Sequence, residues 1–556
     1  MTTGYQAAAG ARRAASLLLL RDGDSGLEVL MLRRAERDGD LRSGAAVFPG
    51  GVLDARDRDA HRWCLGPTDA DASAQLGLAE GGLDYLVAAV REAFEEVGQL
   101  LAVHADGRPL QPTPELHAAL HPWRSRLNDG HASVAELCAE FDLRLDLRGL
   151  AYTSHWLTPP GVPKRFDTRF FTAPAPVGQQ AEADYGEAVE LMWLTAAAAR
   201  DPARGLKLLP VTDRLLHALG RHATTEAALA EVRQLRVVPL VMPHRALGRK
   251  GLRILMPDDP AYAEVARLDP LGRADVSCEI VPGVPVRLSP RVIRLTAPNP
   301  GMMTGPGTNT YFVGGGEDWT VIDPGPADAL HLQAMLAAAP GRITRIIATH
   351  THMDHSPGAA ALAAATGAEL LGRRAPPHGG QDQSFAPARE LAHGERLAVG
   401  GGGGGTLRVI HTPGHASNHV CLLLEEEKTL FTGDHVMQGS TVVINPPDGD
   451  MVAYLRALAG LLEEDLDWLA PGHGFLVAQP HAVVRALIEH RLRREAKVVE
   501  ALRQAGPGAI DALLPQAYAD VPAALHPVAR RSLLAHLLKL QADGQARLDG
   551  EVWALA

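Results

Sequence analysis

Residues 349–355 read Thr-His-Thr-His-Met-Asp-His, and the apolar run 343–348 leads straight into them. A strand ending there delivers four potential metal ligands, His350, His352, Asp354 and His355, on one loop. Three further strand-like runs end the same way. Residues 407–410 lead to His411-Thr-Pro-Gly-His415, residues 430–433 to Asp434, and residues 468–472 to His473. Imidazole and carboxylate donors without cysteine suit zinc, with manganese or iron as alternatives. One ion needs three or four protein ligands, so seven candidates (His350, His352, Asp354, His355, His415, Asp434 and His473) suit two ions with a carboxylate between them. A lone histidine is more often a satisfied core residue, but chance does not account for this joint pattern. His411, His419 and His435 lie beside the ligands and read as supporting residues.

The first half carries oxygen donors instead. Arg91-Glu92-Ala93-Phe94-Glu95-Glu96-Val97-Gly98 lies in a helical stretch over 83–101. Glu92, Glu95 and Glu96 are spaced i, i+3 and i+4, which puts them on one helix face. Three like charges repel unless a cation binds, and hard oxygen ligands suit Mg2+ or Mn2+. The plain alternative is a solvated acidic face.

The elements that must position these groups fall into blocks. Residues 14–20 and 27–32 are apolar runs joined by a turn, which predicts a hairpin rather than a signal peptide. A glycine turn, Phe48-Pro49-Gly50-Gly51, follows, then the glutamate helix, a helical insert at about 110–145, and a strand over 165–172. Residues 246–290 contain Pro257, Pro260, Pro270 and Pro282 and read as a linker. Strands and helices alternate from about 291 to 480, with Gly400–405 as a hairpin connection, and 481–556 is helical. The expected domains are therefore 1–245, 291–480 and 481–556.

Length supports this division, since 556 residues exceed what one core normally holds. Apolar residues make up 46% and charged residues 21%, which excludes a mostly disordered chain. A net charge of −11 supplies no global basic field for nucleic acid or an anionic membrane. The longest early apolar run is too short to span a bilayer, and four scattered cysteines point to a reducing, cytoplasmic setting.

The pattern His350-x-His352-x-Asp354-His355, with His415, Asp434 and His473, resembles the metallo-β-lactamase superfamily over roughly 292–477. The resemblance implies an αββα sandwich holding two Zn2+ (or Mn2+/Fe2+). His350, His352 and His415 would take one ion, Asp354, His355 and His473 the other. Asp434 would bridge, and the bridging water would become hydroxide near neutral pH, with Asp354 orienting it or accepting its proton. The segment 299–310 and the tail helix around His490-Arg491 and Arg494-Glu495 resemble the beta-lactamase-like protein 2 group, which includes endoribonucleases. Other superfamily members cleave thioesters or lactams.

Arg91–98, with the turn at 48–51, resembles the Nudix box. This implies an α/β/α sandwich that hydrolyses a diphosphate. Glu92, Glu95 and Glu96 would hold Mg2+ or Mn2+, Gly50 and Gly51 would meet the substrate and metal, and Arg91 would orient the glutamates. Leu83 stands where the box has a glutamate, Gln99 where it has an aliphatic residue. The long gap from Gly51 to Arg91, with 47–54 and 165–171, resembles the coenzyme A diphosphatase branch. Asp40 occupies that branch's upstream arginine position, with Arg42 nearby.

The tail resembles a small winged helix, but ten Lys/Arg against eight Asp/Glu across 481–556 favour packing over nucleic-acid binding. The expectation is a multidomain α/β hydrolase with two metal sites acting on small molecules, with coenzyme A or acyl-coenzyme A as substrates. RNA processing by the second half, beside a degenerate Nudix sensor, is the alternative.

Overall fold

The computed structural model describes residues 10–36, 43–110, 113–183, 188–377, 380–401 and 404–556. Asp40, Arg42, Gly402 and Gly403 lie outside the described residues. Two compact units divide the chain, 1–243 and 244–556.

In the first unit, strand Ala11–Gly23 turns into Gly26–Arg34 as an antiparallel hairpin and runs parallel to Arg165–Pro174. Residues 14–20 are buried on every side, so the run is continuous rather than alternating. Its other contact is strand Gly50–Val52, paired antiparallel to 14–16, which brings the glycine turn onto the sheet. The glutamate helix, Gly82–Val97, packs on this sheet through Leu86, Val90 and Phe94. Its N-cap, Gly81, has no capping side chain; Asp69 supplies one from a distance, accepting the Gly81 and Leu83 N–H groups at 3.0 and 2.9 Å. Gly98, left-handed at φ 70°, ends it. The expected insert contains helices Pro114–Asn128 and Val134–Glu140, followed by strand Leu143–Asp146.

The second unit is an αββα sandwich. One sheet contains strands Val292–Thr296, Asn309–Gly315, Asp318–Ile322, Arg342–Ile347 and Glu369–Gly372 in that order. The other orders Arg396–Val399, Gly405–His411, Val420–Leu424, Thr429–Gly433, Trp468–Pro471 and Val477–Ala478. Tyr311, Val313, Ile322 and Ile347 face Leu407, Val409, Leu422 and Phe431 in the central core. Helices Ala329–Ala338 and Ala359–Thr366 cover the first sheet through Met335 and Leu362. Helices Met451–Leu461 and Pro480–Ala505 cover the second through Tyr454, Leu458 and Val484.

Residues 246–290, expected as a linker, carry hairpin His244–Gly248/Gly251–Leu255 and helix Tyr262–Leu268. Glu264 on that helix is buried, pairs bidentately with buried Arg294 at 2.7 and 2.9 Å, and accepts the Leu476 N–H at 2.8 Å. A non-local ion pair, invisible in local composition, makes this segment part of the second unit.

The tail completes a winged helix from helices Ile510–Ala517 and His526–Ala542 and hairpin Ala546–Asp549/Val552–Leu555. Several of its basic residues are engaged within the chain, among them Arg494 with Asp520 at 2.8 Å, Lys539 with Glu495 at 2.8 Å, and buried Arg491 with the Val442 carbonyl. No helix among the described residues is long and apolar enough to cross a membrane.

Candidate metal centres

All seven predicted donors of the second unit come together at strand ends. The apolar strand Arg342–Ile347 stops at Thr349, whose N–H and hydroxyl both donate to Asp323, at 2.7 and 2.8 Å. This fixes the turn that follows. His350 Nε2 and His415 Nε2 each lie 3.0 Å from His352 Nδ1, so three imidazoles surround one point. His415 is held by Nδ1–H donating to the Val443 carbonyl at 2.9 Å, which leaves Nε2 directed inward.

A second group contains Asp354, His355 and His473. His355 Nδ1 bonds Asp323 at 2.9 Å, and His473 Nδ1 faces the Gly307 carbonyl at 3.2 Å. Their free Nε2 atoms lie 3.4 and 3.3 Å from Asp354 Oδ2, and at those same distances from Asp434 Oδ1. The other oxygen of Asp434 turns toward His415 at 3.8 Å. Asp434 therefore stands between the two groups. Gly433 before it adopts φ 45°, and a Cβ there would lie 2.5 Å from the Thr349 hydroxyl.

The electrostatics separate neutral from charged donors. Burial, reinforced by neighbouring imidazoles, pushes His352 down to about 4 and His350 well below its ordinary value, so both keep free lone pairs. Burial also opposes charge on His473, but Asp434 and Asp354 outweigh it and lift the group to about 9. His355 is raised by Asp354, Asp434 and Asp323, against its burial. The charges of His355 and His473 overcome burial and hold Asp354 down to about 2.

His355 Nε2, His473 Nε2 and Asp434 Oδ1 are buried, and their polar contacts are the 3.3–3.4 Å ones with each other and with Asp354. Imidazole and carboxylate donors gathered this closely, three around each of two points, form a donor set that fits a pair of divalent ions. Of the expected supporting histidines, His419 accepts the Asp434 N–H at 3.2 Å and bonds Thr412 at 2.9 Å. His411 meets the Ser417 carbonyl at 3.2 Å, and His435 stacks edge-on against Tyr454.

The glutamate site is arranged differently. Arg91 Nη1 lies 2.8 Å from Glu92 and 3.2 Å from Glu95, and the Gly50 N–H donates to Glu96 at 2.8 Å. A Cβ on Gly51 would lie 2.4 Å from Glu92 Oε1, so any side chain there would displace the Glu92 carboxylate. Among the described residues, the oxygens of Glu92, Glu95 and Glu96 do not gather as tightly as the histidine groups. Burial, with Glu92 adding repulsion, pushes Glu95 up to about 7 despite Arg91. A buried carboxylate so reluctant to ionise fits a place for a divalent cation. Leu83 is buried in the core, and Asp84 beside it bonds His61 at 2.8 Å.

Two site residues escaped the sequence reading. Asp57 is buried and grips Arg91 at 2.8 and 3.2 Å, and Asp323 anchors His355 and Thr349. Asp323 follows an apolar strand just as Asp434 does, which was the available signal. Asp57 gave none, because its partner lies 34 residues on.

The fold and the two donor clusters define a metal-dependent hydrolase. Residues 303–473 match the metallo-beta-lactamase superfamily, 68–204 the NUDT19 Nudix domain, and 509–553 the beta-lactamase associated winged helix domain. A beta-lactamase-like protein 2 homolog of Drosophila melanogaster is 31% identical over 283 residues, 49% of this chain and 94% of that protein. An atrochrysone carboxyl ACP thioesterase of Aspergillus chevalieri is 35% identical over 235 residues, 40% of this chain and 71% of that one. A NUDIX hydrolase from Alicyclobacillus acidocaldarius is 27% identical, with a TM-score of 0.33, covering 40% of this chain and 96% of that chain. The chain belongs to the metallo-β-lactamase superfamily, with a Nudix domain ahead of that unit and the associated winged helix behind it.

Proposed function

We propose a two-site hydrolase acting on acyl thioesters of coenzyme A type, cleaving the thioester in the second unit and the diphosphate in the first. In the second unit His350, His352 and His415 would hold one ion, and Asp354, His355 and His473 the other, with Asp434 shared; zinc suits this imidazole-rich set. Ions so held supply Lewis acidity toward a carbonyl oxygen and a lowered pKa for water. The chain's own residues do the positioning. Asp323 fixes the tautomer of His355, and the Val443 carbonyl fixes that of His415. Asp354 is 28% exposed, ionised, and receives a hydrogen bond from the Thr308 hydroxyl at 3.3 Å, so it is placed to orient water entering the site. In the first unit Glu92, Glu95 and Glu96 would hold Mg2+ or Mn2+ beside the Gly50–Gly51 turn. Without an ion, burial and Glu92 raise Glu95 to about 7, so a cation bound there would relieve the cost of its charge. Arg91 keeps the carboxylates together.

The observation that carries the thioester reading is the similarity to a carboxyl ACP thioesterase across the unit that holds the histidine centre. The four free cysteines support a reducing, cytoplasmic location. Incubating the full chain with acyl-coenzyme A, zinc and magnesium tests the reading. Free thiol and a phosphoadenosine product should both appear; His352→Ala should sharply cut only the first and Glu95→Gln only the second. Neither product, or instead cleavage of single-stranded RNA that disappears with His352→Ala, would sink it.

A further inference from the structure

A third donor cluster lies in the first unit, outside both centres. His117 and His121 stand one turn apart on helix Pro114–Asn128, and Glu182 faces them from the segment after strand Arg165–Pro174. Glu182 Oε2 is 3.3 Å from His117 Nε2 and 3.8 Å from His121 Nδ1, and one donor atom from each residue falls within 4.8 Å of the others. Tetrahedral zinc with bonds near 2.0–2.1 Å sets its donors about 3.3 Å apart. Glu182 and His117 already stand at that spacing, and the exposed His121 ring, 3.8 Å from Glu182, must move closer to complete the set.

The backbone beneath these side chains is fixed from both directions. Arg124, buried on the same helix as the histidines, donates to the Phe94, Glu95 and Glu96 carbonyls at 3.1 Å and to the Glu182 carbonyl at 2.7 Å. The Glu182 N–H returns a bond to Val97 at 3.0 Å. The Gln179 side chain clasps Leu100 through both its amide atoms, at 2.8 and 2.9 Å. Helix, segment and the end of the glutamate helix are thus held in one register, with the three donors at its rim. Such preorganisation lowers the ordering cost of binding an ion.

We propose that His117, His121 and Glu182 form a further divalent transition-metal site of zinc type, with an open coordination position toward solvent. An ion there staples the insert helix to residues 179–182 and, through Arg124, steadies the carboxyl end of the helix bearing Glu92, Glu95 and Glu96.

Equilibrium dialysis of the chelator-stripped full chain against micromolar free zinc, counting bound metal, tests the site. Wild type should hold one zinc more than the His117→Gln/His121→Gln double variant at equal free zinc, because the other two centres are common to both. Glu182→Gln should require at least about tenfold more zinc to fill the same place. Amide exchange over 176–183 should slow with zinc in wild type and stay unchanged in the double variant. The two imidazoles are 52% and 59% exposed, so the double variant should melt like wild type in chelator. If it does not fold, Glu182→Gln and the exchange readout decide. Equal zinc content in wild type and the folded variants at every concentration, or zinc-independent exchange in wild type, overturns the proposal.

Discussion

The two centres solve the same problem, keeping buried charge available, in opposite ways. In the first unit the glutamates come from a single helix and carry their own counter-ion: Arg91 spans Glu92, Glu95 and the buried Asp57. In the second unit the donors come from separate strand ends, and the charges that offset Asp354 and Asp434 are the ligand histidines themselves. A site with a resident cation is held together before metal arrives. A site whose ligands must give up protons to receive metal depends on it.

Breaking each site should expose this difference. His352→Ala removes one of three imidazoles from a single ion, and losing several kcal/mol of Lewis-acid stabilisation corresponds to about 10³-fold in thiol release, with diphosphate cleavage unchanged. Arg91→Ala leaves Asp57, Glu92 and Glu95 buried without their cation. The first unit should lose about 3–5 kcal/mol by denaturant titration, while the second unit keeps its midpoint.

Acid and base sharpen the comparison. Glu95 is raised from 4.5 to about 7, so the folded first unit binds that proton more tightly than the unfolded chain. This stability is fully present below about pH 4.5 and is lost as pH rises through 7. In chelator the first unit should be on the order of 2 kcal/mol more stable at pH 5 than at pH 8, and Glu95→Gln should flatten the profile. His473, raised to about 9, must lose its proton to accept a metal, so zinc affinity of the second unit should climb as pH rises toward 9. The smallest effect is expected from Asp323→Asn, which loosens His355 without removing a ligand. Competition with a chelator should show about tenfold weaker metal binding.

The histidine centre was legible because each donor terminates an apolar run, so local pattern marks it even though the donors span 350 to 473. The glutamate helix was legible through its spacing, and Gly98 closes it within a few residues of expectation. The anchors were not: Asp57 and Asp323 act on residues 34 and 32 positions away, and nothing local signals that distance. Prolines made 246–290 read as a joining segment, whereas a pair formed with Arg294 folds it into the sandwich.

That pair also constrains where the chain can be divided. Arg294 sits on the strand Val292–Thr296, and its partner Glu264 precedes it by 30 residues. A cut made anywhere between them would strand a guanidinium in a dry interior and leave the Leu476 N–H unanswered. The point at which the two units can be separated with each pair intact therefore lies ahead of helix Tyr262–Leu268, near residue 243.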